Sequence, residues 1–129
     1  MIFRKTVPED ILTIAEWIQR DPPHREINPS FFCLEGEGVS CYAIEDDKGP
    51  VIFVRQETEG QSTRLHTQFP FGLGTRKRIA NVLSEAYPLV REDAAKRGFK
   101  SIRFETKSLA LMKFMMHGFT FRADLIDDL

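Results

Sequence analysis

Apolar and polar residues follow two different periods in the first quarter of the chain. Residues 1–5 alternate in the manner of a strand, whereas residues 8–20 place apolar side chains at the 3.6-residue spacing of a helix. Thr6 at the N-cap and Glu9 three residues later predict a capping box that starts this helix. The prolines and glycines of residues 21–37 leave two interpretations open, a short second helix or an ordered loop.

The middle of the chain has the pattern of an antiparallel meander. Residues 39–44 and 50–56 are rich in apolar and β-branched side chains, and the stretch 46–49 between them is typical of a hairpin turn. Gly60 predicts another turn, after which residues 62–69 return as the third strand of the meander.

A long amphipathic helix is predicted in the second half of the chain. Prolines and glycines mark residues 70–75 as a loop, and helical spacing begins near Thr75 and ends at Gly98. Pro88 lies inside this pattern and predicts a kink or a break in the helix.

The remaining elements complete an α/β (α+β) order with a mixed sheet. Residues 101–105 alternate as a strand, Ser108 caps a last helix that Gly118 closes, and residues 119–126 have the pattern of a final strand. The long helix forms a right-handed crossover, so the strands 62–69 and 101–105 are predicted to run parallel and to separate at their carboxyl ends.

Composition indicates an ordinary globular protein. The chain has 129 residues, 42% hydrophobic and 29% charged, which predicts one domain over residues 1–129 and excludes disordered, collagenous and coiled-coil classes. The net charge of −1 gives no basic surface for nucleic acid or for an anionic membrane. Two cysteines are too few for a disulfide framework or a cysteine metal site. Without a membrane-spanning stretch or a secretory signal in the sequence, we expect a cytoplasmic protein that holds no metal.

Three segments, taken in this order, resemble the GNAT superfamily of N-acetyltransferases. Residues 2–10 are similar to the family's opening strand and capped helix, and residues 70–80 to its cofactor loop, where the family has Arg/Gln-x-x-Gly-x-Gly/Ala. Residues 110–119 resemble Ala-x-x-x-Tyr-x-x-x-Gly-Phe, the family's third motif. The resemblance covers essentially the whole chain. It implies an acetyltransferase-like mixed, twisted sheet of six to seven strands flanked by about four helices, with acetyl-CoA as co-substrate.

The cofactor motif falls on Thr75–Ala80 with two departures from the family pattern. Thr75 stands where the family has Arg or Gln, and Arg78 where it has the first glycine. The family loop binds the pyrophosphate through backbone N–H groups at a helix N-terminus. The three cationic residues here, Arg76, Lys77 and Arg78, favour instead a phosphate site built by side chains. The alternative is a solvated basic patch. The resemblance implies that the cofactor contacts Thr67, Gln68, Phe69, Gly74, Thr75, Arg76, Lys77, Arg78, Ile79, Ala80 and Phe114.

A third departure concerns the proton donor. Family enzymes often use the tyrosine of the third motif to protonate the departing thiolate, and Phe114 at this position has no proton to give. Two residues are candidate replacements. His117 lies at the end of the same helix, although a histidine there also suits the helix dipole. Tyr87 is on the long helix, but its place on the apolar stripe predicts a core residue.

Two residues of the meander are candidates for the base that removes a proton from an amine acceptor. His66 titrates intrinsically near neutral pH, and Glu57 ends the preceding strand, close to where the family often places a carboxylate. The alternative for His66 is an ordinary sheet-surface histidine. His24, beside two prolines in the segment that usually shapes the acceptor pocket of the family, is a weaker candidate.

Two functions from different classes remain open at this level. The first is acyl-CoA-dependent N-acetyl transfer by direct attack of a small-molecule or peptide amine. The second is a catalytically degenerate acetyltransferase-fold protein, as in some phage proteins, that acts as a binding or structural module. A homodimer or a protein partner is compatible with both. The short basic run 76–78 does not outweigh the acidic balance of the chain, so a nucleic-acid partner is not expected.

Overall fold

The computed structural model describes residues 1–72 and 74–129. In these residues six strands form one sheet in chain order, and all neighbours are antiparallel except β4 and β5, which run parallel. The strands are β1 (Ile2–Lys5), β2 (Val39–Asp46), β3 (Gly49–Glu59), β4 (Ser62–Gln68), β5 (Ser101–Glu105) and β6 (Ile126–Asp128). The predicted meander and the parallel pair are therefore confirmed.

Three α-helices and three short 3-10 turns surround the sheet in the described residues. The helices are α1 (Ile11–Gln19), α2 (Thr75–Lys96) and α3 (Leu109–Gly118). The 3-10 turns are Pro8–Asp10, which leads into α1, then Pro22–His24 and Pro29–Phe32. None of the described helices is long and apolar enough to cross a membrane.

Each face of the sheet covers its own hydrophobic core, because strand residues alternate between the two faces. On one face, Leu65 of β4 packs with Val82 and Leu83 of α2 and with residues of α3. On the other face, Ile14 and Ile18 of α1 pack with neighbours that include Phe53 of β3. The sheet is thus covered on both sides by helices, a layered α/β architecture.

The start of the first helix differs from the sequence prediction. The predicted capping box of Thr6 and Glu9 is wrong: the backbone N–H of Val7 donates instead to Asp10 Oδ2 at 2.8 Å. Arg4 on β1 holds the same carboxylate with two hydrogen bonds of 2.9 Å. This ion pair is the main reason why the pKa of Asp10 lies below its ordinary value. Asp10, rather than Glu9, accepts the bond at the helix start, and its carboxylate is held by Arg4 of β1. Sequence rules for helix starts do not include a contact from a strand.

The structure decides between the alternatives that the sequence left open for two segments. Residues 21–37 contain two 3-10 turns joined by irregular chain, which is nearer to the predicted ordered loop than to a second α-helix. The helix α2 continues through Pro88, so the break allowed by the sequence is not there. The predicted loop 70–75 includes residue 73, which lies outside the described residues.

The predicted final strand over 119–126 is wrong, since β6 covers only Ile126–Asp128. A turn precedes it, with the N–H of Leu125 donating to Arg122 O at 2.9 Å and Leu125 in the left-handed region at φ 59°. The aromatic residues that suggested a strand pack around Tyr87 instead, with ring centroids 4.8 Å away for Phe119 and 5.0 Å for Phe121. Tyr87 is a buried core residue, as predicted.

Candidate functional site

The pairing between the two parallel strands stops before β4 ends. It runs from Ser62 opposite Ser101 to His66 opposite Glu105, whereas β4 continues to Gln68, still paired with Phe53 of β3. Beyond Glu105, the irregular residues 106–108 lead into α3. A gap therefore opens between the carboxyl ends of β4 and β5, the position at which open α/β sheets bind ligands.

A cleft of about 590 Å3 occupies this gap. Its walls come from the 3-10 turn Pro22–His24, the end of β4, the start of α2, residues 106–108 and the first turns of α3. Apolar groups such as Phe69, Ile79 and Leu111 line much of it, and charged groups contribute at a few points. A largely apolar concave surface with a few polar groups is the usual form of a small-molecule site.

The start of α2 forms one wall of the cleft. Gly74 is the N-cap of this helix and lies in the left-handed region at φ 81°, a conformation that glycine adopts without steric cost. Gly74 has no side chain to accept hydrogen bonds from the first turn of the helix. The N–H of Thr75 donates to Gly72 O at 3.4 Å, and the N–H groups that follow it remain available to an anion. Thr75 and Arg76, the first two residues of the helix, line the cleft.

The three cations predicted to form a phosphate site have different surroundings. Arg76 is exposed and lines the cleft, and Lys77 is exposed but does not line it. Arg78 forms a bidentate ion pair with Asp46, with Nε and Nη2 at 2.6 and 2.7 Å from the carboxylate, and also donates to Gly49 O. This ion pair holds the pKa of Asp46 below its ordinary value. The charge of Arg78 thus fastens α2 to the β2–β3 turn, and Arg76 is the member of the three that reaches the cleft.

Most of the other residues expected to contact a cofactor surround the same cleft. Thr67 and Phe69 line it at the end of β4, Ile79 and Ala80 on α2, and Phe114 on α3. Gln68 is completely buried and does not line the cleft itself, but its side chain contacts Asp21 and His24, which do.

Phe114 is half-buried in the cleft wall. Its ring meets the ring of Phe119 edge-on at a centroid distance of 5.9 Å. The resemblance implied a tyrosine hydroxyl at this place in the cleft wall. Phe114 has no such group, so this position of α3 supplies no proton donor.

The candidate bases His66 and Glu57 contact each other on the α1 face of the sheet. His66 Nε2 lies 2.9 Å from Glu57 Oε1, and Arg55 Nε donates to the same oxygen at 3.1 Å. The edge of the Phe31 ring packs on the imidazole at a centroid distance of 5.1 Å. Burial, the largest effect, lowers the pKa of His66 despite the nearby carboxylates. Neither His66 nor Glu57 lines the cleft.

The candidate acid His117 also lies outside the cleft. It occupies the last turn of α3 and is exposed to solvent. The structure therefore brings most of the predicted cofactor residues together and leaves the three predicted catalytic residues elsewhere.

Sequence reasoning gave too little weight to the wall built by residues 21–24. Asp21 and His24 line the cleft, and His24 Nδ1 lies 2.6 Å from Gln68 Oε1 and 3.1 Å from Asp21 Oδ2. Lys107, just after β5, is another charged residue of the cleft. The prolines left residues 21–37 open between a short helix and an ordered loop, and only the fold brings residues 21–24 to the end of β4.

No group of three or more His, Cys, Asp or Glu side chains with the spacing of a metal site occurs in residues 1–72 and 74–129.

Comparison with known proteins gives the fold its context. No family model matches the chain, and no curated protein matches it in sequence. Among solved structures, the chain is similar to the ribosomal-protein-S18-alanine N-acetyltransferase from Escherichia coli, with a TM-score of 0.65 and 12% identity over 90% of this chain and 74% of that one. It is also similar to aminoglycoside 6'-acetyltransferase type Ii, with a TM-score of 0.57 and 14% identity over 81% of this chain and 70% of that one. A third similar structure is the aminoglycoside 6'-N-acetyltransferase from Enterococcus faecium, with a TM-score of 0.56 and 11% identity over 100% of this chain and 77% of that one. The chain therefore has the acetyltransferase-like fold.

Proposed function

We propose that the protein transfers an acetyl group from acetyl-CoA to an amine. The observation that carries the proposal is the cleft between the carboxyl ends of β4 and β5, with the N-terminus of α2 in its wall. A long thioester can lie in this cleft with its phosphate groups at the N-terminus of α2 and its thioester in the gap between β4 and β5.

The start of α2 fits a pyrophosphate group. The first N–H groups of the helix lack a side-chain cap at Gly74, and the helix dipole favours an anion there. Arg76 adds one cation at the cleft wall. We assign the pyrophosphate of acetyl-CoA to residues 74–80, with backbone groups as the principal ligands and Arg76 as the contributing side chain.

The end of β4 fits the pantetheine arm. Because β5 stops pairing at Glu105, the backbone of Thr67–Phe69 has no strand opposite it on that side among the described residues. Pantetheine contains amide groups that can take the place of a strand partner, and exposed strand edges commonly bind extended ligands in this way. The thioester is then directed into the gap between β4 and β5.

The reaction in this cleft is direct attack by the amine on the thioester carbon, with loss of coenzyme A. Phe114 offers no proton to the leaving thiolate, and a positioned general acid is typically worth about 10²–10⁴-fold in rate. A thiolate leaves without full protonation, so turnover is expected to be slow rather than absent. The acceptor we propose is a small-molecule or peptide amine.

Two observations favour a second candidate function, a binding or structural module with the same fold. Phe114 places an apolar ring where the resemblance implies a donor, and Arg78, at the position of the family glycine, is engaged by Asp46. A protein that has kept the cleft and lost the chemistry has these features.

The test combines binding with turnover. Calorimetric titration with acetyl-CoA measures occupancy of the cleft, and thiol release from acetyl-CoA is followed across a panel of peptide, polyamine and small-amine acceptors. We expect saturable binding and amine-dependent thiol release. Binding without turnover for any amine would support the binding module, and no binding at millimolar acetyl-CoA would contradict acetyl transfer.

A further inference from the structure

The side chains of Asp21, His24 and Gln68 form a hydrogen-bonded group at the wall of the cleft. Asp21 and His24 belong to the turn after α1, and Gln68 is the last residue of β4, 44 residues away from His24. Gln68 is fully buried, whereas about 23% of the His24 side chain is exposed. A buried amide thus holds a partly exposed imidazole at the site.

The hydrogen bonds of Gln68 determine the orientation of its amide. Its Nε2 lies 3.1 Å from Phe69 O and 3.3 Å from Asp21 Oδ2, and both oxygens are acceptors. The donor end of the amide must therefore face these two oxygens, and Oε1 must face His24.

The orientation of Gln68 in turn fixes the tautomer of His24. His24 Nδ1 lies 2.6 Å from Gln68 Oε1 and 3.1 Å from Asp21 Oδ2, and neither atom can donate when Asp21 is a carboxylate. Nδ1 must therefore carry the proton, so the neutral ring has its lone pair on Nε2. Within the part of the chain that the structure describes, Nε2 has no hydrogen-bond partner.

From this geometry we infer that His24 Nε2 is the base that accepts the proton of the acceptor amine, with Asp21 and Gln68 as its positioning residues. The inference rests on the acetyl transfer proposed above. Three features support it: the free lone pair, the place of the ring in the cleft wall, and a carboxylate that stabilises the imidazolium formed on protonation. His66 and His117 are both outside the cleft.

Acetyl transfer in this cleft removes two protons from the acceptor nitrogen. The acceptor arrives as an ammonium ion, and His24 Nε2 takes one of its protons. The freed nitrogen lone pair forms a bond to the thioester carbon, the bond from this carbon to sulfur breaks, and the electron pair leaves on the thiolate. The nitrogen loses a second proton as the amide forms. Of the two protons, one ends on the coenzyme A sulfur and the other in solvent.

The first test examines the free protein and needs no activity. Two-bond 1H–15N spectra of the histidine rings distinguish the two neutral tautomers. We expect the neutral His24 ring to carry its proton on Nδ1. A proton on Nε2 would overturn the inference, because that nitrogen would then have no lone pair to offer.

The second test compares turnover in three variants. His24→Asn keeps a donor near the Nδ1 position for Gln68 and removes the basic nitrogen. We expect its kcat/KM for the amine to fall on the order of 10²–10⁴-fold with unchanged acetyl-CoA affinity. His24→Ala should show a similar loss and regain turnover when imidazole is added to the solution. The matched control is Glu26→Gln, which alters an exposed charge two residues away, outside the cleft, and should leave turnover unchanged.

The outcomes separate the two proposals. If the wild type transfers acetyl groups and His24→Asn is equally active, the role of His24 is overturned and the acetyltransferase proposal stands. Loss of activity in His24→Ala without rescue by imidazole would also count against a proton-transfer role. If the wild type transfers to no amine, the proposed function fails and the inference about His24 fails with it.

Discussion

The buried carboxylate of Asp127 permits a quantitative test of how the last strand is held. Asp127 on β6 is completely buried and accepts three side-chain hydrogen bonds: from Tyr87 Oη at 2.5 Å, Thr120 Oγ1 at 2.6 Å and Arg91 Nε at 3.0 Å. The pKa of Tyr87 lies above its ordinary value because its hydroxyl is buried and donates to this carboxylate. The bonds from Tyr87 and Arg91 fasten β6, a strand of three residues, to α2.

Tyr87→Phe removes one of the three donors and changes the packing very little. A hydrogen bond to a charged group contributes about 1.5–3 kcal/mol to stability, and Tyr87 is 3% exposed, so little solvent is available to replace it. For a chain of this length the change corresponds to a decrease in Tm of roughly 6–12 °C. Asp127→Ala leaves the donors unpaired and should cost more, about 3–5 kcal/mol.

Tyr42→Phe is the matched control for this prediction. Tyr42 donates to a neutral amide oxygen, Gln56 Oε1, at 2.9 Å, and such a bond contributes only about 0.5–1.5 kcal/mol. Chemical denaturation of the three proteins, wild type and the two Tyr→Phe variants, gives the comparison directly. If Tyr87→Phe costs no more than Tyr42→Phe, the reasoning about the buried carboxylate is refuted.

Three further predictions concern the cleft and its surroundings. Phe114→Tyr should raise kcat on the order of tenfold or more in the thiol-release assay with little change in acetyl-CoA affinity, whereas a loss of turnover would show that the donor position was misassigned. Arg76→Ala should weaken coenzyme A binding several-fold in calorimetry, with a larger effect at low salt. The control Lys96→Ala, at the other end of α2, should leave the affinity unchanged, and equal effects of the two substitutions would rule out a direct role for Arg76. Arg78 lowers the pKa of Asp46, so this pair stabilises the fold fully above about pH 4 and loses its contribution as the pH falls further. Asp46→Asn should therefore show a shallower loss of Tm between pH 5 and pH 2 than the wild type, and identical slopes would contradict the role of the pair.

Local periodicity was sufficient to predict most of the architecture. The meander of β2, β3 and β4, the long helix α2 and the parallel pairing of β4 with β5 follow from alternation, turn residues and the need for a crossover. The final strand was misplaced because Phe119 and Phe121 have the alternation of a strand but pack around Tyr87 from the irregular segment between α3 and β6.

The polar contacts of the site were harder to predict, because they join residues far apart in the sequence. Arg78 pairs with Asp46, which is 32 residues away, and this ion pair holds the Arg78 guanidinium outside the cleft. Gln68 meets His24 across 44 residues, so the sequence alone gave His24 no advantage over His66. Such pairs depend on how the sheet and its covering turns close, which no local pattern specifies.

A crystal structure of the protein grown with acetyl-CoA tests the central proposal most directly. The account predicts electron density for the pyrophosphate at residues 74–80, for pantetheine along the backbone of Thr67–Phe69, and for the sulfur in the gap between β4 and β5. Acetyl-CoA bound at another surface, or a cleft that remains without density at saturating concentration, would contradict it.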